Sequence, residues 1–454
     1  MADRIGTLVI FGASGDLAKR LLLPGLGELL DSGRGGELQL LGVGQDAMTD
    51  ATWQERVADS FASGRANGTR SGAVAEASHY LQADVTKPDE LRRVLAACQG
   101  TPALYFALPP RVTIAVCSAL SDVELPAGTV LALEKPFGTD LASAEALNRQ
   151  LLKLVPEHDV HRIDHFLGKS TVLNLLGLRF ANRVFEQIWN ADNIERVDII
   201  IDEQLALEGR VGYYDKAGAL VDMIQSHLLL VLAIVVMEPP SSIDADDLRG
   251  SVAQALRATA VWDNDASTAS RRARYTAGTV GDRRIPAYAK EQGVDPSRDT
   301  ETLVEVTLAV QNWRWSGVPF VLRSGKALSA SRQDIIVTFK DVPHLPTGLS
   351  GHPAPAQLRI SLKPDGLSLD LNINGEGNPF TLDRITIDAD FAEGELIPYG
   401  EVLAGILSAD PTLSVRDDAV EQCWRIVTPI LDAWKAGSVP LDSYPAGSQG
   451  PKNW

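Results

Sequence analysis

The chain has 454 residues, 45% apolar and 22% charged, with a formal net charge of −17. A single hydrophobic core stops growing at about 250–300 residues, so at least two domains are expected, and the composition is that of a globular chain rather than a disordered one. The negative charge opposes nucleic acid and anionic membrane as partners. It opposes anionic small molecules too, so a phosphorylated ligand would need a local cationic cluster. Cysteines are few (Cys98, Cys117 and Cys423) and suggest neither a disulfide framework nor a C-x-x-C metal site. The chain opens without a secretory pattern. Its longest apolar run, Leu228–Met237, has ten residues, too few for a bilayer. A cytoplasmic protein is expected.

Thr7–Phe11 is a short apolar strand closed by glycine. Asp16–Leu30 follows as a helix with Leu17, Leu21, Leu22 and Leu26 on a broad face, bent or restarted at Pro24. Leu38–Val43, Ala103–Leu108 and Thr129–Leu133 are further, nearly all-apolar strands. Such strands alternating with helices predict a doubly wound parallel sheet covered on both faces, a Rossmann-like α/β domain over residues 1–163. From 164 to 454 the pattern becomes α+β with a large, mostly antiparallel sheet. Gly168–Phe180 and Leu220–Met237 read as helices, and Arg196–Asp202, Leu303–Val310 and Ile335–Phe339 as strands. Leu358–Leu362 and Leu367–Ile373 read as a hairpin around Lys363-Pro364-Asp365-Gly366. Asp265–Asp299 is polar and turn-rich, expected to be loop with short helical pieces. Pro440–Trp454, rich in Gly, Pro and Ser, is expected to be a surface tail.

Gly12-Ala13-Ser14-Gly15-Asp16-Leu17-Ala18 joins the first strand to the first helix. Glycines allow a tight turn and close approach of a pyrophosphate, and the helix N-terminus offers unpaired N–H groups. The spacing, G-x-x-G-x-x-A, is not G-x-G-x-x-G, and a plain strand-to-helix turn remains an alternative. The second strand ends in Gln45-Asp46. An acidic residue there accepts from a ribose 2′-hydroxyl, whereas arginine would take a 2′-phosphate.

Arg162–Lys169 is a dense polar cluster. On a helix His165 and Lys169 stand at i and i+4, on one face, which suits a phosphate; a solvated basic face accounts for the segment equally well. Glu203 follows a strand. Asp222 and His227 border the apolar run, five residues and about 140° apart on an α-helix, so they do not share a face. From the residues alone, His227 reads more simply as a core histidine.

GASGDLAKR (Gly12–Arg20), YFALPP (Tyr105–Pro110), EKPFG (Glu134–Gly138), RIDHFLGK (Arg162–Lys169), EGRVGYYDKAG (Glu208–Gly218) and NWRWSGVPFVLRSGKAL (Asn312–Leu328) resemble the glucose-6-phosphate dehydrogenase family, in family order. The RIDH-x-LGK run is close to diagnostic. The resemblance implies oxidation of glucose 6-phosphate at C1 with NAD or NADP, as the first oxidative step of the pentose phosphate pathway, without a metal. It implies that His227 is the general base and Asp164 its orienting carboxylate. His165 and Lys169 match phosphate binders, Glu203 and Asp222 acceptors for sugar hydroxyls, and Lys326 and Lys135 substrate contacts. Lys135 also lies near the nicotinamide, before a cis proline. Gly12, Ser14, Gly15, Asp16, Leu17, Asp84, Val85 and Ala107 match dinucleotide contacts. A homodimer or homotetramer is implied.

The chain departs from the family at several positions. Gln45-Asp46 stands where arginine and a small or polar residue are usual, so NAD is expected to serve at least as well as NADP. Phe166 replaces a tyrosine, which removes one hydroxyl donor to the phosphate. Ser226 replaces an asparagine, Lys363 stands in place of a glutamine, and Ser331-Arg332 replaces a pair that usually begins with a basic residue. These leave open a related hexose phosphate as substrate. Two rival readings are a glucose–fructose oxidoreductase-like enzyme for unphosphorylated sugar and a dinucleotide-sensing regulator without catalysis. The His165–Lys169 pair argues against the first, and the retained Asp164 and His227 against the second.

Overall fold

The computed structural model describes residues 5–64, 66–209, 211–375, 377–391 and 394–454; Arg210, within the Glu208–Gly218 segment, lies outside them. Two compact units form, each from three stretches of chain. One is Met1–Ser170, Pro240–Ala253 and Gly394–Trp424; the other is Thr171–Pro239, Gln254–Glu393 and Arg425–Trp454. Sequence order suggests a single cut after residue 163, whereas both units are discontinuous. Buried charge shows how distant stretches join the first unit. Glu157 accepts from Arg162 Nη1 and from Arg249 Nη2, each at 2.8 Å, and Arg249 Nε donates to the Ser414 carbonyl.

The first unit holds six parallel strands: β1 (Thr7–Phe11), β2 (Gln39–Gly44), β3 (His79–Gln82), β4 (Pro102–Phe106), β5 (Val130–Glu134) and β6 (Val160–Ile163). Their order is β3-β2-β1-β4-β5-β6, with Ser414–Val415 added antiparallel to β6. The order reverses between β1 and β4, the switch point where ligands bind in such sheets. Side chains of β1 alternate between two cores. Leu8 and Ile10 enter one, Val9 and Phe11 the other, as period-two geometry requires of a strand covered on both sides.

The helix after β1 begins at Asp16, but Ala18–Leu22 is a π-turn and regular α-helix runs over Leu23–Asp31. Pro24 has no N–H for the carbonyl four residues back. The i→i+5 bonding of the preceding turn, such as Leu23 N–H to Ala18 O, accommodates it.

The second unit is built on a ten-stranded sheet. Its strands are β7 (Ile194–Asp202), β8 (Thr259–Val261), β9 (Ser270–Thr276), β12 (Leu303–Val310), β13 (Phe320–Gly325), β14 (Arg332–Phe339), β15 (Gln357–Leu362), β16 (Asp365–Asn374), β17 (Leu382–Asp390) and β18 (Leu441–Pro445); β10 (Gly278–Val280) and β11 (Arg283–Ile285) form a separate hairpin. The order is β17-β16-β15-β14-β7-β13-β12-β9-β18, with β8 also on β12. The β7–β13 and β9–β18 pairs are parallel and the others antiparallel. The β15–β16 hairpin turns at Lys363-Pro364, joined by a cis bond.

Two expectations are corrected here. Asp265–Asp299 is not mainly loop, because it supplies β9 and the β10–β11 hairpin. Pro440–Trp454 is not a loose tail. Its β18 adds to β9, and Tyr444, 1% exposed, donates from its hydroxyl to the Lys326 carbonyl at 2.7 Å. One buried aromatic outweighs the turn-prone composition around it.

The helical stretch Val211–Val236 is long and apolar enough to cross a membrane by length and composition, but 89% of its most apolar window is buried inside the protein. All eight residues of Leu229–Val236 are buried. Before them, Leu220–Leu228 is a π-helix rather than the continuous α-helix expected.

Candidate active site

In the first unit the glycine turn lies at the carboxyl ends of β1 and β4. Gly12 has φ 79°, and a Cβ on it would lie 2.3 Å from the Ala107 carbonyl oxygen. Only glycine fits there. Gly12 and Ala13 donate N–H groups to Val43 O, which fixes the turn on β2. A helix starting at Asp16 then presents its first N–H groups beyond the turn. These features fit a bound pyrophosphate.

Ser14 Oγ donates to Asp46 Oδ2 at 2.5 Å, so the serine of the turn and the acidic residue after β2 stand together. Tyr80 holds Asp46 from behind, donating to its carbonyl at 3.0 Å. Gln45 is exposed and its carbonyl accepts from Gln82 Nε2 at 2.9 Å. Arg56, not singled out in the sequence, donates to the carbonyls of Ser14 and Gly15 at 2.6 and 3.0 Å. Its distance in sequence from the turn hides it.

The remaining dinucleotide candidates differ in kind. Asp16 is exposed and pairs loosely with Arg20 at 3.8 Å, and Leu17 is half-buried against the core. Asp84 faces Thr86, whose hydroxyl donates to it at 2.6 Å and holds its carboxyl below the usual range. Val85 is 6% exposed and its side chain belongs to the core, so it has only backbone to offer a ligand.

At the ends of β5 and β6 stand Lys135, His165 and Lys169. The Lys135–Pro136 bond is cis. Residues 165–168 form a turn, and helix begins only at Ser170, so the expected i, i+4 helical pairing of His165 and Lys169 is corrected. Asp164, 1% exposed, closes this turn by accepting the Phe166 N–H at 3.0 Å. A Cβ on Gly168 would lie 2.7 Å from the Pro398 carbonyl oxygen, so the loop is also clamped by the helix Pro398–Ser408. The pair is nevertheless gathered, around the ring of Phe166. His165 meets that ring edge-on at 5.1 Å, and Lys169 Nζ lies 4.3 Å above it. Phe166 thus gathers the two side chains, and at 5% exposure its ring faces inward. Arg162, in the same motif, is fully buried on Asn148 and Glu157 and is structural.

Next to Lys135, at the end of β5, stands a half-buried acid, Glu134. The Tyr105 hydroxyl donates to Glu134 Oε1 at 2.5 Å, and Tyr399 bonds to the same carboxyl. Burial pushes the Glu134 pKa up, against the pull of both hydroxyls and of Lys135, while Asp164 adds to the rise. The Tyr399 ring stacks on His165 at 6.0 Å with planes 13° apart. Nothing local in the sequence links Tyr399 to His165.

In the second unit Lys326 Nζ pairs with Glu203 Oε2 at 2.6 Å and lies 5.3 Å from the centre of the Tyr214 ring. Backbone bonds between Glu203 and Gly325 and between Leu328 and Glu203 fix this pair where β7 and β13 end. Asp222 and His227, 2% and 1% exposed, both lie on the π-helix Leu220–Leu228. With i→i+5 bonding, residues five apart complete about one turn. The two side chains therefore leave nearly the same side of the helix, which corrects the separation expected from α-helical geometry. Ser226 donates back to the Asp222 carbonyl at 2.5 Å. Lys363 is exposed at its hairpin turn, and Arg332 is engaged by Asp334 at 3.0 Å.

A parallel sheet in this order, with a glycine turn and helix start at its switch point, is the architecture of a dinucleotide-binding domain. Residues 9–174 match the family described as "Glucose-6-phosphate dehydrogenase, NAD binding domain", and residues 176–454 match "Glucose-6-phosphate dehydrogenase, C-terminal domain". The chain belongs to the glucose-6-phosphate dehydrogenase family. It is 36% identical to the glucose-6-phosphate 1-dehydrogenase of Zymomonas mobilis, over 99% of this chain and 97% of that one. It is 34% identical to that of Bacillus subtilis, over 98% and 95%. A crystal structure of the enzyme from Mycobacterium avium superposes with TM-score 0.86 at 32% identity, covering 100% of this chain and 96% of the other. A glucose-6-phosphate dehydrogenase in complex with its substrate gives TM-score 0.88 at 27% identity, covering 100% and 97%.

Proposed function

We infer that the protein oxidises glucose 6-phosphate at C1 to the lactone, passing the hydrogen to a nicotinamide dinucleotide. The observation that carries the phosphorylated substrate is the grouping of Lys135, His165 and Lys169 at the ends of adjacent strands β5 and β6, in a chain of net charge −17. A cationic cluster against such a field is expected where an anion must bind.

The turn Gly12–Leu17 holds the pyrophosphate through backbone N–H groups, and Ala107, Asp84 and Val85 flank the dinucleotide. The dinucleotide, when bound, supplies the acceptor for the hydrogen that leaves C1 with its electron pair. His227 takes the proton of the 1-hydroxyl, freeing that oxygen to form the lactone carbonyl. His165 and Lys169 hold the 6-phosphate. Glu203 and Asp222 accept from sugar hydroxyls, and Lys326 and Lys135 complete the substrate contacts.

NAD serves at least as well as NADP on this reading. The support is Asp46, held by Ser14 and Tyr80 beside the glycine turn, where it suits a free ribose 2′-hydroxyl and repels a 2′-phosphate. The enzyme would act in the cytoplasm, as a homodimer or homotetramer, at the first oxidative step of the pentose phosphate pathway. Absorbance at 340 nm with glucose 6-phosphate and each dinucleotide tests the activity. Absence of turnover with any hexose phosphate would overturn it.

A further inference from the structure

We propose that Glu301 is a positioning residue for the reaction, setting the π-helix that carries Asp222 and His227. The proposal rests on the assignment of His227 as general base.

The backbone breaks at Gly218, with φ 65° and ψ 178°, and the helix restarts at Leu220. A restarted helix exposes N–H groups that need an acceptor. Glu301 supplies it from 81 residues away: Leu220 N–H donates to Glu301 Oε1 at 2.9 Å, and the N–H groups of Ala219 and of Glu301 itself also face the carboxyl. A Cβ on Gly218 would lie 2.3 Å from Glu301 Oε1, so the carboxyl fills the space that the missing side chain leaves. The neighbouring Thr300 hydroxyl donates to the Asp215 carbonyl at 2.7 Å, on the helix before the break. Thr302 N–H is anchored to Ala273 on β9 at 2.8 Å. Residues 300–302 therefore grip both sides of the break and tie it to the sheet.

This grip bears on chemistry through register. An α-helix over 220–228 would swing Asp222 and His227 about 140° apart. The i→i+5 turn brings them to one side, and π-turns persist only where surrounding contacts hold them. Glu301 is such a contact, fully enclosed, with Arg272, Tyr214 and Tyr288 as the ionisable groups facing it from neighbouring elements.

The test is steady-state kinetics of the full chain with glucose 6-phosphate and NAD. Glu301→Leu, folded by circular dichroism, is expected to lose on the order of 10- to 100-fold in kcat, as a misplaced catalytic group does. Its KM for NAD should stay within about threefold, while that for glucose 6-phosphate should rise, because Asp222 moves together with His227. Glu301→Gln keeps an acceptor for Leu220 N–H and should retain kcat within about threefold. A folded Glu301→Leu protein with wild-type kcat, a loss confined to KM, or a Glu301→Gln protein as slow as Glu301→Leu would each overturn the proposal. If Glu301→Leu does not fold, Glu301→Asp decides. Its shorter reach should lower kcat about fivefold or more at unchanged KM for NAD, and an unchanged kcat overturns the proposal. His227→Asn separates the two inferences. If that variant turns over normally the base assignment itself fails, whereas its loss together with an unaffected Glu301→Leu sinks only the role of Glu301.

Discussion

Replacing Asp46 by serine should move the enzyme from NAD towards NADP. Asp46 is exposed, and its carboxylate lies 2.5 Å from Ser14 Oγ at the edge of the glycine turn. A ribose 2′-phosphate bound beside it would place about two negative charges roughly 4 Å away. In a water-like dielectric that costs about 1 kcal/mol per charge, or about 2 kcal/mol in all. Removing it predicts about a 30-fold gain in kcat/KM for NADP. The same change deletes a charged acceptor for the free 2′-hydroxyl, worth about 1.5–3 kcal/mol, so kcat/KM for NAD should fall by about 10-fold or more. Adding Gln45→Arg supplies a cationic partner and should raise NADP use by a further ~10-fold. Initial rates at 340 nm give all four constants. Repeating them at high salt isolates the repulsion, because exposed charges are screened over about 3 Å at 1 M ionic strength. The NADP gain should then shrink while the NAD loss persists. A wild-type kcat/KM for NADP more than about tenfold above that for NAD would refute the reasoning, as would an Asp46→Ser variant whose ratio does not move.

His227→Asn should keep glucose 6-phosphate binding, followed by equilibrium dialysis, while turnover falls by about 10²- to 10⁴-fold. Glu134→Leu leaves the hydroxyls of Tyr105 and Tyr399 without their shared acceptor, at about 1–3 kcal/mol for each buried group, and should lower the melting temperature more than Tyr105→Phe does. Tyr444→Phe should cost about 1 kcal/mol by loss of its bond to the Lys326 carbonyl, and truncation after Val439 far more, since β18 goes with it. Burial raises the Glu301 carboxyl from 4.5 to about 7. Its folded value exceeds the unfolded one, so the linked stability is complete below about 4.5 and is lost as pH rises through about 7. Above that, wild type carries a cost of roughly 3 kcal/mol that Glu301→Gln lacks. Urea melts should show the variant relatively more stable at pH about 8, and a gap that does not narrow at pH about 5 contradicts the sign.

What could be read along the chain was local. The all-apolar strands and the glycine at position 12 announced a dinucleotide turn, because φ of 79° and contact with Ala107 are requirements on one residue and its neighbours. RIDHFLGK pointed to His165 and Lys169 as a pair, although the helix expected for them proved to be a turn closed by Asp164 and pressed by Pro398. Arg162 of the same run is buried on Glu157. The Pro440–Trp454 segment looked like a tail because Gly, Pro and Ser set its composition, while the pairing of β18 with β9 and the burial of Tyr444 decide its place.

Residue types and short motifs by themselves determined the family and the strand–turn–helix of the first unit, and they singled out His227, His165, Lys169 and Asp46 as the side chains to which roles are proposed. Tertiary structure decided how those groups are presented. It stacked Tyr399 on His165, set Arg56 and Tyr80 around Ser14 and Asp46, and placed Glu301 on Leu220. Backbone conformation answers to neighbours a few residues away. Burial and hydrogen-bond satisfaction answer to whatever the fold brings alongside, and for Leu220 that is a carboxylate 81 residues further along the chain.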